Sequence, residues 1–161
     1  MTAAGTAYLL VDVAGTACAL RRDAADEILP LPRLWRPPGA PAALAGFLNL
    51  SGEAVAVLDL AALLGLAVPA GRGLYRHLVL CTEPRIALMV DRVSDLVTVP
   101  PEAVRPVAGA TTLNGCVAEE IRLGDRLVHG LAVARILLAE ERGRLADETR
   151  EAQRRLAEWA A

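Results

Sequence analysis

The chain has 161 residues, with 17 Arg and no Lys set against 19 acidic residues for a formal charge of −2, so it lacks the basic face that binds a phosphate backbone. Hydrophobic residues make up 54% of the chain but aromatics only 3%, which leaves the core to Ala, Leu and Val and makes stacking platforms for bases or sugars scarce. The length suits one domain, or two small subdomains sharing a core.

The first residues lack the charged segment and apolar run of a secretory signal, and no stretch reaches the roughly 18 to 20 apolar residues of a membrane span. Cys18, Cys81 and Cys116 are odd in number, far apart and set among aliphatic residues. They are expected to be small buried side chains in a reducing cytoplasm, not disulfide partners or metal ligands.

In chain order, Tyr8–Val13 reads as a strand that turns at Gly15-Thr16 and returns through Ala17–Leu20. Asp23–Leu29 reads as a short helix capped by Asp23 and broken by Pro30 and Pro32. Pro37, Pro38, Gly39 and Pro41 make an extended loop. A strand to Leu50, a Ser51-Gly52 turn and an apolar strand from Ala54 to Leu60 form the next hairpin, followed by one helical turn closed by Gly65. Residues 67–75, with one Pro and two Gly, read as a linker.

Beyond it, strands are expected over His77–Thr82, Ile86–Asp91 and Asp95–Val99, the first two joined at Glu83-Pro84. A loop through Asn114-Gly115 leads into a hairpin over Cys116–Leu123 and Leu127–Val133, turning at Gly124-Asp125. Short strands at this spacing argue for small barrels over a parallel sheet with crossover helices. Leu50, Val55, Leu58, Leu60, Leu63 and Leu64 also fall 73 residues before Leu123, Val128, Leu131, Val133, Ile136 and Leu137, the mark of a pseudo-repeat or of chance in so aliphatic a chain.

The segment 134–161 reads as a long C-terminal helix. Glu140 with Arg144 and Glu151 with Arg155 place acid before base at i,i+4. Leu138, Leu145, Ala152 and Trp159 recur every seven residues, with Thr149 and Leu156 between some of them. Two uses of this narrow seam stand open: packing on the chain's own barrel, or an interface of Leu145, Ala152, Leu156 and Trp159 for a partner or a second copy.

No catalytic, cofactor or metal site is expected. Ser51 and Ser94 have no G-x-S-x-G elbow, and the only histidines, His77 and His129, are isolated in strands. His129 shares a strand face with Leu127 and Leu131, where a half-buried structural role is expected. Two His and three dispersed Cys give no ligand spacing, and Gly71-Arg72-Gly73 is not a phosphate loop. Glu119 and Glu120 point to opposite faces of a strand and cannot act together as acid and base.

The order of elements resembles the CheW-like chemotaxis coupling family from Tyr8 to Leu138. The matching stretches are Tyr8-Leu9-Leu10-Val11, Glu27-Ile28, Gly46-Phe47-Leu48-Asn49-Leu50-Ser51-Gly52, Val57-Leu58-Asp59-Leu60, Ile86 through Val93, Pro101-Glu102-Ala103-Val104, and Gly124 through Val128 leading into Ile136-Leu137-Leu138. The resemblance implies a mainly β fold of two small SH3-like five-stranded β-barrels packed together, with short helices and the long C-terminal helix. Residues 1–161 would be a single CheW-like domain with subdomains at 20–75 and at 76–133 plus strands 8–20.

It implies further a non-enzymatic adaptor without cofactors, bridging chemoreceptor signalling tips to a CheA-type histidine kinase in the cytoplasm and recruited to membrane receptor arrays. Partner-binding residues carried over are Glu27, Gly46, Asn49, Leu50, Ser51, Gly52 and Val90. Ser51 departs from the Arg usual in the family, which removes a fixed charge and five donors. The alternatives are a kinase-binding regulator that lacks receptor binding and uses its C-terminal helix for a partner or for dimerisation, and a small enzyme.

Overall fold

The structure, a computed structural model, describes residues 5–66, 76–107, 116–137 and 139–160. The expected linker at 67–75, which includes Gly71-Arg72-Gly73, the Asn114-Gly115 loop and Leu138 of the seven-residue seam lie outside them, as does the side chain of Glu140. The strands are β1 (Thr6–Val13), β2 (Thr16–Arg21), β3 (Ala25–Pro30), β4 (Leu44–Leu50), β5 (Glu53–Asp59), β6 (His77–Cys81), β7 (Ile86–Val90), β8 (Arg92–Val99), β9 (Val104–Pro106), β10 (Val117–Leu123) and β11 (Arg126–Leu131). The helices are α1 (Leu60–Leu63) and α2 (Ala139–Ala160).

Two sheets form, in the orders β3-β6-β7-β5-β4 and β8-β1-β2-β11-β10-β9. They are the two small SH3-like β-barrels expected, the second with β9 as an added strand. Strand β5 shows how the sequence builds them. Its Val55 and Val57 point into one barrel with Leu48, Leu78, Leu80 and Met89, while Ala54, Ala56 and Leu58 point to the opposite face. That face joins Leu9, Val11, Val13, Cys18 and Leu20 of the other sheet in one shared core. Tyr8, Leu10, Ala19, Ile121 and Val128 fill the second barrel. A strand buried on both faces needs the unbroken apolar run seen here, not the alternation of a half-exposed one.

The two sheets share one plan. In each, an edge strand pairs antiparallel with a second strand, the second antiparallel with a third, the third parallel with a fourth, and the fourth antiparallel with a fifth. Leu48 pairs with Val55 as Ile121 pairs with Val128, and the ladder is irregular between Leu44 and Gly46 as between Val117 and Glu119. The spacing of 73 is thus a structural repeat. The chain runs through one plan continuously, in the order β3, β4, β5, β6, β7, and through the other in the order β8, β10, β11, β1, β2. The second is a circular permutation of the first.

Three expectations are corrected. Asp23–Leu29 is not a helix: Arg22–Ala24 makes one 3-10 turn and β3 follows, because Ala25 to Pro30 pair with β6. Sheet membership moves β6 and β7 from the expected second segment into the first sheet, through the parallel pairing of Ala56 to Asp59 with Ile86 to Met89. The C-terminal helix starts at Ala139 and not at 134, since Val133–Arg135 is 3-10 and Ile136 and Leu137 are buried in the shared core. Its 22 residues span about 33 Å.

Candidate partner-binding site

The β4–β5 hairpin closes on Leu50 and Glu53, with Ser51 at φ 50° and Gly52 at φ 95°. Two positive φ values in a two-residue loop define a type I′ turn, whose twist matches that of the strands. Asn49 Oδ1 accepts the Gly52 N–H at 2.8 Å. The β1–β2 turn repeats this arrangement: Ala14 and Gly15 lie at φ 49° and 83°, and Asp12 Oδ1 accepts the Gly15 N–H at 3.0 Å. Asn49 and Gly52 therefore answer a backbone requirement of the turn before any partner is considered. The turn leaves Asn49, Ser51, Gly52 and Glu53 exposed, with Leu50 half-buried against the first barrel's interior.

The other residues carried over by resemblance lie elsewhere. A Cβ on Gly46 would stand 2.7 Å from the Trp35 carbonyl oxygen, so this glycine admits the segment that covers edge strand β4. There Trp35 and Phe47 exchange backbone hydrogen bonds of 3.2 and 2.7 Å, and their rings pack at 5.8 Å. Val90 is fully buried in the shared core, where its side chain cannot meet a partner. Glu27 is exposed on β3, the opposite edge strand.

Arg85, preceding β7, links edge strand β3 to the start of β5 beside the turn. Its Nε and Nη2 each lie 3.2 Å from a carboxylate oxygen of Glu53, and Nη1 lies 3.2 Å from Asp26 Oδ2. Sequence reasoning missed this triad because no local spacing joins residues 26, 53 and 85.

Helix α2 packs on β5. Ala152 is buried in the shared core, Leu145 and Leu156 are half-buried against it, and Trp159 is 89% exposed. Three of the four candidate interface residues thus pack on the chain's own body. Gln153 fastens the helix to the hairpin, its Oε1 accepting the Ala54 N–H at 2.8 Å and its Nε2 donating to the Gly52 C=O at 2.9 Å. Nothing in the sequence singles out Gln153. Arg154 and Arg155 hold the Glu151 carboxyl down at about 2.

Among the described residues no catalytic arrangement gathers around the serines. Ser94 Oγ donates to the Leu10 C=O at 3.2 Å, bracing the bulge between β1 and β8. Ser51 stands at the hairpin tip, while His77 begins β6 and His129 lies in the other sheet. His129 is exposed and not half-buried: it shares its face with Leu131, which is buried in the shared core, but that face opens to solvent toward Leu127, which is exposed as well. Glu119 accepts the Tyr8 hydroxyl at 2.7 Å, and Glu120 is exposed. Cys18, Cys81 and Cys116 are buried thiols, and burial pushes the first two up to about 12. Among the described residues no three His, Cys, Asp or Glu group as metal ligands, and no helix is long and apolar enough to cross a membrane.

Comparison with known proteins agrees with this arrangement. The model of the CheW-like domain family matches residues 7–141. A curated protein from Rhizobium etli, described as a probable chemotaxis protein CheW, is 37% identical over 83 residues. That match covers 46% of this chain and 51% of the relative, so the chain spans about half the relative's length. The crystal structure of the scaffolding protein TtCheW from Thermoanaerobacter tengcongensis superposes with a TM-score of 0.76 at 16% identity. It covers 85% of this chain and 90% of that one.

Proposed function

The chain belongs to the CheW-like domain family, and on that premise we propose that it is a non-enzymatic adaptor of a chemotaxis or related chemosensory pathway. It works in the cytoplasm, joining the signalling tip of a chemoreceptor to a CheA-type histidine kinase in the receptor array. The family match across both sheets carries this reading. The exposed turn at Asn49, Ser51 and Gly52 is the contact surface, with Glu27 on the opposite edge strand of the same sheet. Gly46 and Val90 serve it indirectly by placing the strands beneath. Leu50 does the same from its half-buried position.

Ser51 is the observation that favours a second reading, a regulator that binds the kinase and not the receptor. Serine cannot supply the bidentate, fixed-charge contact of a guanidinium. On the C-terminal helix, Trp159 remains the exposed large apolar side chain for a partner or a second copy.

Calorimetric titration of the full chain with a kinase regulatory fragment and with a receptor-tip fragment tests both readings, with Ser51→Arg measured alongside. Binding to both supports the adaptor. Binding to the kinase alone, with receptor binding gained by Ser51→Arg, selects the regulator. Binding to neither overturns both.

A further inference from the structure

We propose that α2 is a displaceable clasp on the β4–β5 hairpin: docked through Gln153 it closes the Gly52–Ala54 side of the turn, and a partner engages the turn with the helix lifted. The proposal rests on the reading above that this turn is a recognition surface.

The clasp uses backbone that the sheet leaves unpaired. Asn49 and Ala54 lie opposite each other one step inside the closing pair Leu50 and Glu53, so the Ala54 N–H points away from β4. On that side the ladder with β7 begins only at Ala56, opposite Ile86. Beyond it, the Ala54 N–H and the Gly52 C=O are met by the carboxamide of Gln153, which has the donor and acceptor of a peptide group. An extended partner segment at the turn would use the same two groups. Partner and helix therefore compete.

The seat of α2 is narrow. Ala152 is its one fully buried side chain among the described residues. Along the side of the helix that faces the 35–41 segment, a groove of about 600 Å³ separates Trp35, Pro37 and Pro38 from Glu148 and Arg155. Toward the start of the helix, a cavity of about 360 Å³ lies between Pro41, Leu63 and Leu145. The ion pairs Arg150–Asp147, Arg154–Glu151, Arg154–Glu158 and Arg155–Glu151 are all internal to the helix. They remain when the helix leaves the body, so undocking does not require unfolding it.

Two variants of the full chain test the clasp: Gln153→Ala, which removes both hydrogen bonds, and Ala152→Glu, which seats a charge in the buried contact. Amide exchange at Ala54 is followed by NMR, and affinity for the kinase and receptor-tip fragments by titration. Each variant is expected to speed Ala54 exchange and to tighten binding at the turn by about tenfold, the factor set by a loss of ~1.4 kcal/mol in docking. Binding by the variants but not by the native chain supports the clasp equally. Unchanged Ala54 exchange, or binding that is equal or weaker in both variants, overturns the clasp and leaves the adaptor standing. Binding by no form of the chain overturns the adaptor reading, and with it the gate.

Discussion

Arg85 grips both carboxylate oxygens of Glu53 with one edge of its guanidinium and reaches Asp26 with the other, each contact at 3.2 Å. The three side chains are more than a third exposed, and exposed pairs contribute at most about 1 kcal/mol. Arg85→Ala is expected to lower stability by no more than that in urea unfolding at low salt. Near 1 M salt, where the screening length falls to roughly 3 Å, the difference should shrink. A loss above about 2 kcal/mol would mean that the triad supports the backbone and not only charge.

The turn residues make opposite predictions. Ser51 holds a left-handed conformation that disfavours a side chain by about 1–2 kcal/mol, so Ser51→Gly should stabilise the chain or leave it unchanged. Gly52→Ala should cost about 1–2 kcal/mol for the same reason, and Asn49→Ala about 1 kcal/mol for its lost bond to Gly52. Urea midpoints measured together settle the signs. A clear loss of stability from Ser51→Gly would show that the Ser51 side chain stabilises the turn.

Gly46→Ala tests the cover over β4. The new methyl would press on the Trp35 carbonyl at 2.7 Å, and overpacking of this kind costs about 1–3 kcal/mol. Trp35 fluorescence should change with the displaced ring, while that of Trp159 stays constant. Native stability with an unaltered spectrum would contradict the close approach.

Tyr8 sets an alkaline limit. Burial, then its hydrogen bond to Glu119, pushes the phenol up to about 12, against about 10 in an unfolded chain. The folded state thus holds this proton more tightly, and the resulting stability is complete below pH 10 and lost between pH 10 and 12. Urea midpoints across that window should fall, and Tyr8→Phe should flatten the decline. An equal slope in the variant would assign the loss to other groups.

What could be read from the sequence was what neighbours in sequence decide. The Ser51-Gly52 turn was legible from its own residues, whereas the first turn, expected at Gly15-Thr16, forms at Ala14-Gly15 because Thr16 already pairs with Val13. The repeat shows because Val55 and Val128, like Leu58 and Leu131, fill equivalent sites. Asp23–Leu29 misled because an acid-rich opening followed by Ile28 and Leu29 fits a helix, while its strand form depends on β6, some fifty residues onward. The parallel joins of β5 to β7 and of β2 to β11 are equally non-local, and without them the division into sheets could not be drawn. At the hairpin, the turn was legible but Gln153 and Arg85 were not, since a polar side chain carries no sign of a backbone group 99 residues away.

The permuted order of the second barrel has a consequence for assembly. The first barrel draws all its strands from one uninterrupted stretch, Ala25 to Val90, and can condense without waiting for the rest. The second must bring β2 beside β11, aligning Cys18 with His129 across more than a hundred residues. Such distant closures carry the greater entropic cost and form slowly. The first barrel then acts as a mandrel around which the two arms of the chain are wrapped and joined, and damage to either arm opens the same seam.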